Sequence, residues 1–211
     1  MRRGAIVLAL NLADVRTLER RGRRVRTGIW KLPTPDRILA RAEGLVGDTQ
    51  GDRSVHGGRH KAVYAYASED SRWWGERLGR ALEPGSFGEN LTTAGVDVSG
   101  AVVGERWRVG GALLEVSEPR LPCWKLGARL GDPRLPKRFA AAGRPGAYLR
   151  VLAEGEVGAG DAVELVERPG HGVTVALLSE ARLRDRSLAP RLLAATSLSP
   201  AWREWAESAA A

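Results

Sequence analysis

The sequence predicts a mainly β domain, a β-barrel or sandwich with some α-helix, followed by a small helical unit. Short apolar runs alternate with glycine-containing turns through most of the 211 residues, a pattern typical of all-β architectures. Gly110-Gly111 separates two such runs and fits a two-residue hairpin turn. After Pro169-Gly170-His171-Gly172 the apolar residues recur at helical spacing. We therefore predict a β domain in residues 1–168 and a domain of three short helices in residues 173–211.

The β domain divides into strands, two helices and polar loops. We expect Ser68 to cap the first helix and Gly79 to end it, because these residue types are favoured at the two ends of a helix. The predicted helices are 68–78 and 136–142, and the predicted strands are 6–12, 25–30, 62–67, 106–109, 112–116, 147–152 and 162–166. Loops are expected at 33–36, 50–61, 84–93 and 117–125.

Charge and cysteine content limit the classes of function. The net charge of +8 favours an anionic partner, either nucleic acid or a small phosphorylated ligand. The densest basic run, from Arg16 to Arg26, contains Gly22 and predicts an exposed hairpin or loop. The single cysteine excludes an internal disulfide, and no apolar run is long enough to cross a bilayer. We therefore expect a cytoplasmic protein without a membrane segment.

Several common motifs are missing from the sequence. It contains no GxxxxGK[ST] loop, no GxGxxG after a strand and no HExxH, so ordinary nucleotide folds are not expected. His56 and His60 are separated by Gly57-Gly58, so they do not form the helical pair common in zinc sites. Two alternatives stay open, a zinc site of His56, His60 and Cys123, and a hydrolase pair of Cys123 with His56.

Cys123 lies in a segment that is suited to presenting a side chain. Pro119 and Pro122 stiffen the segment and favour extended backbone before each of them. Arg120 and Lys125 flank the cysteine, and nearby cations favour the thiolate, which is the form that attacks or binds metal. The alternative is that Cys123 is a small buried apolar residue, as free cysteines often are.

Three stretches taken together carry a family resemblance. The first runs from Gly47-Asp48 through His56-Gly57-Gly58 to Lys61-Ala62-Val63-Tyr64, the second is 87–92, and the third is 119–125. This set resembles the MOSC family, named for the C-terminal domain of molybdenum-cofactor sulfurase, and in particular its stand-alone bacterial YiiM-like members. The resemblance covers almost the whole chain. It implies a MOSC-type β-barrel followed by an appended three-helix domain.

The resemblance also implies that a cleft of the barrel binds the molybdenum cofactor rather than pyridoxal phosphate. Cys123 would be the protein ligand to molybdenum and the catalytic residue, which suits a soft thiolate. The implied cofactor-binding residues are His56, Lys61, Glu89, Asn90, Arg120 and Lys125. The basic members suit the phosphate of the pterin, and the Asn90 amide suits a ring edge. In the alternative interpretation the lysines are surface charges, Glu89 and Asn90 support their loop, and His56 is structural.

We therefore predict a molybdenum-cofactor-dependent oxidoreductase that reduces N-hydroxylated bases or amidoximes. No flavin, haem or iron–sulfur motif is present, so the electrons would come from a separate reductase. One alternative is a carrier of the cofactor or its sulfur without catalysis. A basic nucleic-acid-binding module is disfavoured because most tryptophans occupy predicted core positions, whereas such modules interleave exposed aromatic and basic side chains.

Overall fold

The computed structural model describes residues 4–49 and 57–210, and within them the chain is mainly β. Strands β1 to β13 span Ile6–Ala13, Arg16–Arg20, Arg23–Thr27, Lys31–Thr34, Ile38–Arg41, Gly44–Leu45, Val63–Ala67, Leu91–Ala94, Arg106–Val109, Ala112–Pro119, Ala147–Ala153, Gly155–Val157 and Val163–Glu167. Helices α1 to α6 span Ser68–Leu78, Trp124–Leu130, Leu135–Ala142, Val175–Leu183, Ala189–Leu192 and Pro200–Ala210. Short 3-10 turns occur at Arg59–Lys61 and Arg186–Leu188. The predicted class, mainly β with some α, is confirmed.

The main sheet has eight strands in the order β13-β9-β10-β11-β7-β8-β1-β4. Its pairings are antiparallel except for β7 with β8. A backbone bridge between Ile6 and Ala162 joins β1 to the residues before β13. The two ends of the sheet therefore approach each other, and apolar side chains such as Leu10, Trp107 and Leu149 are buried in one core.

The basic run forms a separate two-stranded hairpin of β2 and β3. Arg21 and Gly22 at its tip have φ of 49° and 71°, the left-handed backbone that a tight hairpin turn requires. The side chains along both strands are mostly exposed. This confirms the predicted hairpin around Gly22.

Some sequence predictions of local structure were wrong. Pro33 and Thr34 belong to β4 rather than to a loop. Proline is tolerated there because β4 is an edge strand, where one side of the backbone needs no partner. Ser68 is the first residue of α1 and makes no capping hydrogen bond, since Ala67 precedes the helix. Gly79 does end α1, with φ of 66° and its N–H donated to the Gly75 carbonyl.

The segment around Cys123 was predicted as a loop, but its two ends are regular. Strand β10 continues to Pro119, which pairs with Ala147 in β11, and α2 begins at Trp124. The irregular stretch is therefore only four residues, from Arg120 to Cys123. Periodicity missed α2 because it has only seven residues and starts directly after the cysteine.

The three predicted C-terminal helices are present as α4, α5 and α6. Residues that lead into α4 run beside an earlier segment, where Val103 donates its N–H to the Val173 carbonyl and Val175 donates to Ala101. Val103 also joins the apolar cluster of the three helices. The helices are thus docked on the β-rich part of the chain, and their status as a separate domain stays a prediction.

Five of the seven tryptophans pack in or against an apolar cluster, as the sequence predicts. Three of the seven, Trp74, Trp107 and Trp202, are buried. The other four are partly exposed, and each has an arginine guanidinium near its ring. These pairs are Arg16 with Trp30, Arg20 with Trp124, Arg77 with Trp73 and Arg182 with Trp205. Trp73 and Trp205 also pack against apolar clusters, so for these two rings the arginine contact adds to their burial.

None of the helices in the described ranges combines the length and the apolar composition that crossing a bilayer requires.

Candidate functional site

The end of β10 leads into a cleft. Strands β7 and β11 form one wall, through Tyr64 and Tyr148, and the residues between β3 and β4 form another. Five residues singled out from the sequence line this cleft: Asp48, Lys61, Asn90, Arg120 and Lys125, together with Cys123 itself. The fold therefore brings together side chains from four separate parts of the sequence.

Cys123 stands at the junction of loop and helix. Its backbone is extended, with φ of −130° and ψ of 167°, and its carbonyl accepts the N–H of Leu126 in the first turn of α2. The thiol is partly exposed. A second, larger cleft is lined by the same cysteine. Cys123 is thus open to both clefts and is held between a strand and a helix.

Arg120 is the most unusual charge in the cleft. Its side chain is only 5% exposed, and its Cζ lies 5.7 Å from the ring centroids of both Tyr64 and Phe139. Burial lowers the pKa of the guanidinium, but the acidic groups of Tyr64, Tyr148 and Cys123 raise it, and the net direction is upward. Its Nη1 is buried without a hydrogen-bond acceptor in the described residues. Buried charged donors are normally hydrogen-bonded, so this nitrogen is suited to an acceptor on a ligand.

Two lysines contribute further positive charge. Lys125 is 7% exposed and lines the cleft, and no ion pair of its ammonium occurs among residues 4–49 and 57–210. Lys61 lies 3.3 Å from Glu118, so part of its charge is neutralised. Arg120 and Lys125 therefore provide most of the attraction for an anion.

Asn90 belongs to a buried polar network at the edge of the cleft. Its Nδ2 donates to the Asn11 carbonyl and to Asp48 Oδ2, at 3.2 and 2.9 Å, and its Oδ1 accepts the N–H of Tyr64. Asp48 also accepts from Lys31, at 2.5 Å. Both amide protons of Asn90 are thus used within the protein, and only one lone pair of Oδ1 remains for a ligand.

Glu89 is not brought into the cleft. It is fully buried and accepts hydrogen bonds from the backbone N–H groups of Gly85 and Phe87 and from the Thr92 hydroxyl. Burial raises its pKa, and these donors partly lower it. The carboxylate therefore holds its own loop, in agreement with the structural alternative. His56 lies outside the described residues.

His60 faces the second cleft with Cys123. Its Nδ1 is buried without a hydrogen-bond partner among the described residues, and its pKa is lowered, first by burial and then by the charges of Arg150, Arg59 and Lys61. In the part of the chain that the structure describes, no three His, Cys, Asp or Glu side chains are grouped to hold a metal ion. The zinc alternative thus depends on His56.

Sequence reasoning missed several residues of the site. Tyr64 and Tyr148 form a cross-strand pair on β7 and β11, and their ring centroids are 5.0 Å apart. Ile29, Lys31 and Thr49 complete the wall. Strand composition gave no signal for the tyrosines because a buried aromatic residue looks the same whether it packs in a core or lines a cleft.

Comparisons with known proteins identify the family. The model of the MOSC domain matches residues 52–164. YflK of Bacillus subtilis is 37% identical over 200 residues, which cover 93% of this chain and 90% of that protein. A Gibberella moniliformis protein named "Reductase" is 36% identical over 154 residues, 70% of this chain but only 27% of the fungal protein.

Solved structures extend the likeness to the whole fold. The crystal structure of YiiM from Geobacillus stearothermophilus has a TM-score of 0.81 and 31% sequence identity, and the match covers 98% of this chain and all of that one. The matched residues of the family model include the cleft residues from Lys61 to Tyr148. The chain therefore belongs to the MOSC domain family.

Proposed function

We propose that the chain binds the molybdenum cofactor in the cleft of Cys123 and reduces N-hydroxylated compounds. The observation that carries this proposal is the pairing of a partly exposed thiol with two cations, Arg120 and Lys125, that have no carboxylate partner in the described residues. Such a site suits a ligand that presents both a soft metal and an anion.

The residues that line the cleft of Cys123 fit the molybdenum cofactor. The Nη1 of Arg120 is a buried donor that has no acceptor in the part of the chain that the structure describes, and a phosphate oxygen is an acceptor suited to a planar guanidinium. Lys125 adds a second cation in the same cleft. Asn90 offers one lone pair to a ring N–H, and Tyr64 and Tyr148 offer an aromatic wall. When bound, the cofactor supplies a metal that changes by two electrons.

In this proposal the protein has three tasks. Cys123 supplies a thiolate ligand. Arg120 and Lys125 hold the anionic end of the pterin. The network of Asn90, Asp48 and Lys31 fixes the edge of the cleft, so that these groups are already positioned before a ligand arrives.

The reaction consumes two electrons and two protons. The N–O bond of the substrate breaks, an N–H bond forms, and the hydroxyl leaves as water. A separate reductase would supply the electrons, since the chain carries no motif for another redox cofactor. The printed name of the fungal relative, "Reductase", supports this class of reaction. The aligned region covers only 27% of the fungal protein.

The proposal is tested by making the chain in a host that synthesises the cofactor. We expect molybdenum and pterin in amounts stoichiometric with the wild-type chain. Arg120→Ala and Arg120→Lys should both lose pterin, because lysine lacks the planar pair of donors. Cys123→Ser should nearly abolish reduction of an amidoxime by a chemical reductant, because a hydroxyl is a poorer ligand than thiolate for this metal.

Arg108→Ala serves as the matched control, since Arg108 is an exposed arginine on β9 away from the cleft. It should keep wild-type cofactor content. Stoichiometric zinc without pterin would overturn the proposal. Full cofactor loading without reduction of any N-hydroxylated base or amidoxime would favour the carrier alternative instead.

A further inference from the structure

The second cleft meets the first at Cys123. Lys61, Leu121 and Tyr148 also line both clefts. A ligand in the second cleft would therefore touch the same thiol as a cofactor in the first, but from another side. This arrangement separates a place for the cofactor from a place for a second molecule.

The C-terminal helix α6 forms one wall of the second cleft through Pro200, Trp202 and Trp205. The two indole rings meet edge to face with centroids 5.7 Å apart. The helix is fixed to the β domain because the Ser199 hydroxyl donates to Glu118, at 3.2 Å, and Glu118 also pairs with Lys61. The aromatic wall is thus tied to the residues of the first cleft.

The rim of the second cleft is cationic. Arg59 and Arg182 are exposed there, and neither forms an ion pair with a carboxylate in the described ranges. The guanidinium of Arg182 lies 4.7 Å from the ring centroid of Trp205. Indole rings stack on flat heterocycles, and arginine pairs with phosphate. The lining is therefore complementary to a flat ring that carries a negative group.

We propose that the second cleft binds the substrate, and that the substrate is an N-hydroxylated aromatic base carrying phosphate, that is, a nucleotide. Trp205, the more exposed of the two rings, contacts the base, and Arg59 and Arg182 bind the phosphate. The C-terminal helices thus determine substrate specificity. The reductive step rests on the proposed function, whereas binding does not require it.

Binding is measured first, by calorimetry on the full-length chain loaded with cofactor. Adenosine monophosphate and adenine serve as probes that contain no N–O bond and so cannot be reduced. We expect the monophosphate to bind more tightly than adenine, and Arg182→Ala to weaken monophosphate binding about tenfold, the effect of one charge-assisted hydrogen bond. Trp205→Ala should weaken both probes.

Arg77→Ala is the control. The guanidinium of Arg77 lies over the ring of Trp73 on α1, just as that of Arg182 lies over the ring of Trp205, but Arg77 lines neither cleft. It should leave the binding of both probes unchanged. If the chain does not load with cofactor, the same titration is done on the cofactor-free protein with Arg120→Ala as a second control. Binding that depends on Arg120 but not on Arg182 would place the phosphate in the first cleft and overturn the inference.

Kinetics provide the second test. With a chemical reductant, kcat/KM should be higher for N6-hydroxyadenosine monophosphate than for N6-hydroxyadenine. Arg182→Ala should remove that preference by raising KM while kcat stays near the wild-type value, since the phosphate is the only part of the substrate that this arginine contacts. Equal kcat/KM for base and monophosphate in the wild type would overturn the nucleotide proposal, even if both compounds are reduced and the proposed function holds.

Discussion

His60 shows how the surroundings of a single residue set its ionisation. Its imidazole has a lowered pKa, chiefly because of burial and then because of Arg150, Arg59 and Lys61. The folded chain therefore binds fewer protons than the unfolded chain once the pH falls below the ordinary value of 6.5. Stability then decreases as the pH is lowered from that value toward the folded pKa.

We therefore predict that His60→Gln reduces the acid sensitivity of the fold. The difference in Tm between about pH 7.5 and about pH 5.5 should be smaller in the variant than in the wild type, because glutamine has no proton to gain. Thermal unfolding followed by circular dichroism measures this difference. An unchanged difference in Tm would show that the imidazole is equally easy to protonate in the folded and unfolded chains.

At the scale of the secondary-structure elements, the side-chain amide of Asn90 connects three strands. Asn90 precedes β8, accepts from Tyr64 in β7 and donates to Asn11 in β1. Its third hydrogen bond reaches Asp48. Because the site walls come from different parts of the sequence, this amide has a structural task even if it also contacts a ligand.

Asn90→Ala should therefore destabilise the fold by about 2–4 kcal/mol, since buried groups on β7 and β1 lose their partners. Urea unfolding measures the change. Thr17→Ala in the exposed hairpin is the control and should stay within about 0.5 kcal/mol of the wild type. A variant as stable as this control would mean that Asn90 is kept for ligand binding alone.

At the scale of the whole molecule, the C-terminal helices complete the second cleft rather than the first. The first cleft is lined by residues from Thr27 to Tyr148, whereas the second needs Arg182 and the residues of α6. The helices also cover Val103. Burial of a valine side chain contributes about 1.5–3 kcal/mol.

A chain truncated after Pro169 should accordingly be less stable and still retain cofactor. It should also lose binding of adenosine monophosphate, because the aromatic wall is gone. Cofactor content and calorimetry on the truncated chain measure both, with circular dichroism to check that the sheet remains. A folded truncated chain that cannot retain cofactor would show that the helices take part in the first cleft.

The sequence by itself determined the family and most regular elements of this protein. Glycine turns, such as Gly110-Gly111, and the helical spacing after Gly172 are local signals, so they can be read without the fold. The three stretches around His56, Asn90 and Cys123 identified the MOSC family. They also located Arg120 and Lys125, because the charges flank the cysteine in sequence.

Only the tertiary structure decided which polar groups are left without partners. Asn90 and Glu89 are neighbours in sequence, yet one lines the cleft and the other turns into its own loop. Tyr148, Trp202 and Trp205 line the same cleft as Cys123 only because β11 and α6 border that cleft. Hydrogen-bond satisfaction and cleft lining depend on contacts between residues far apart in the chain, and no local pattern encodes them.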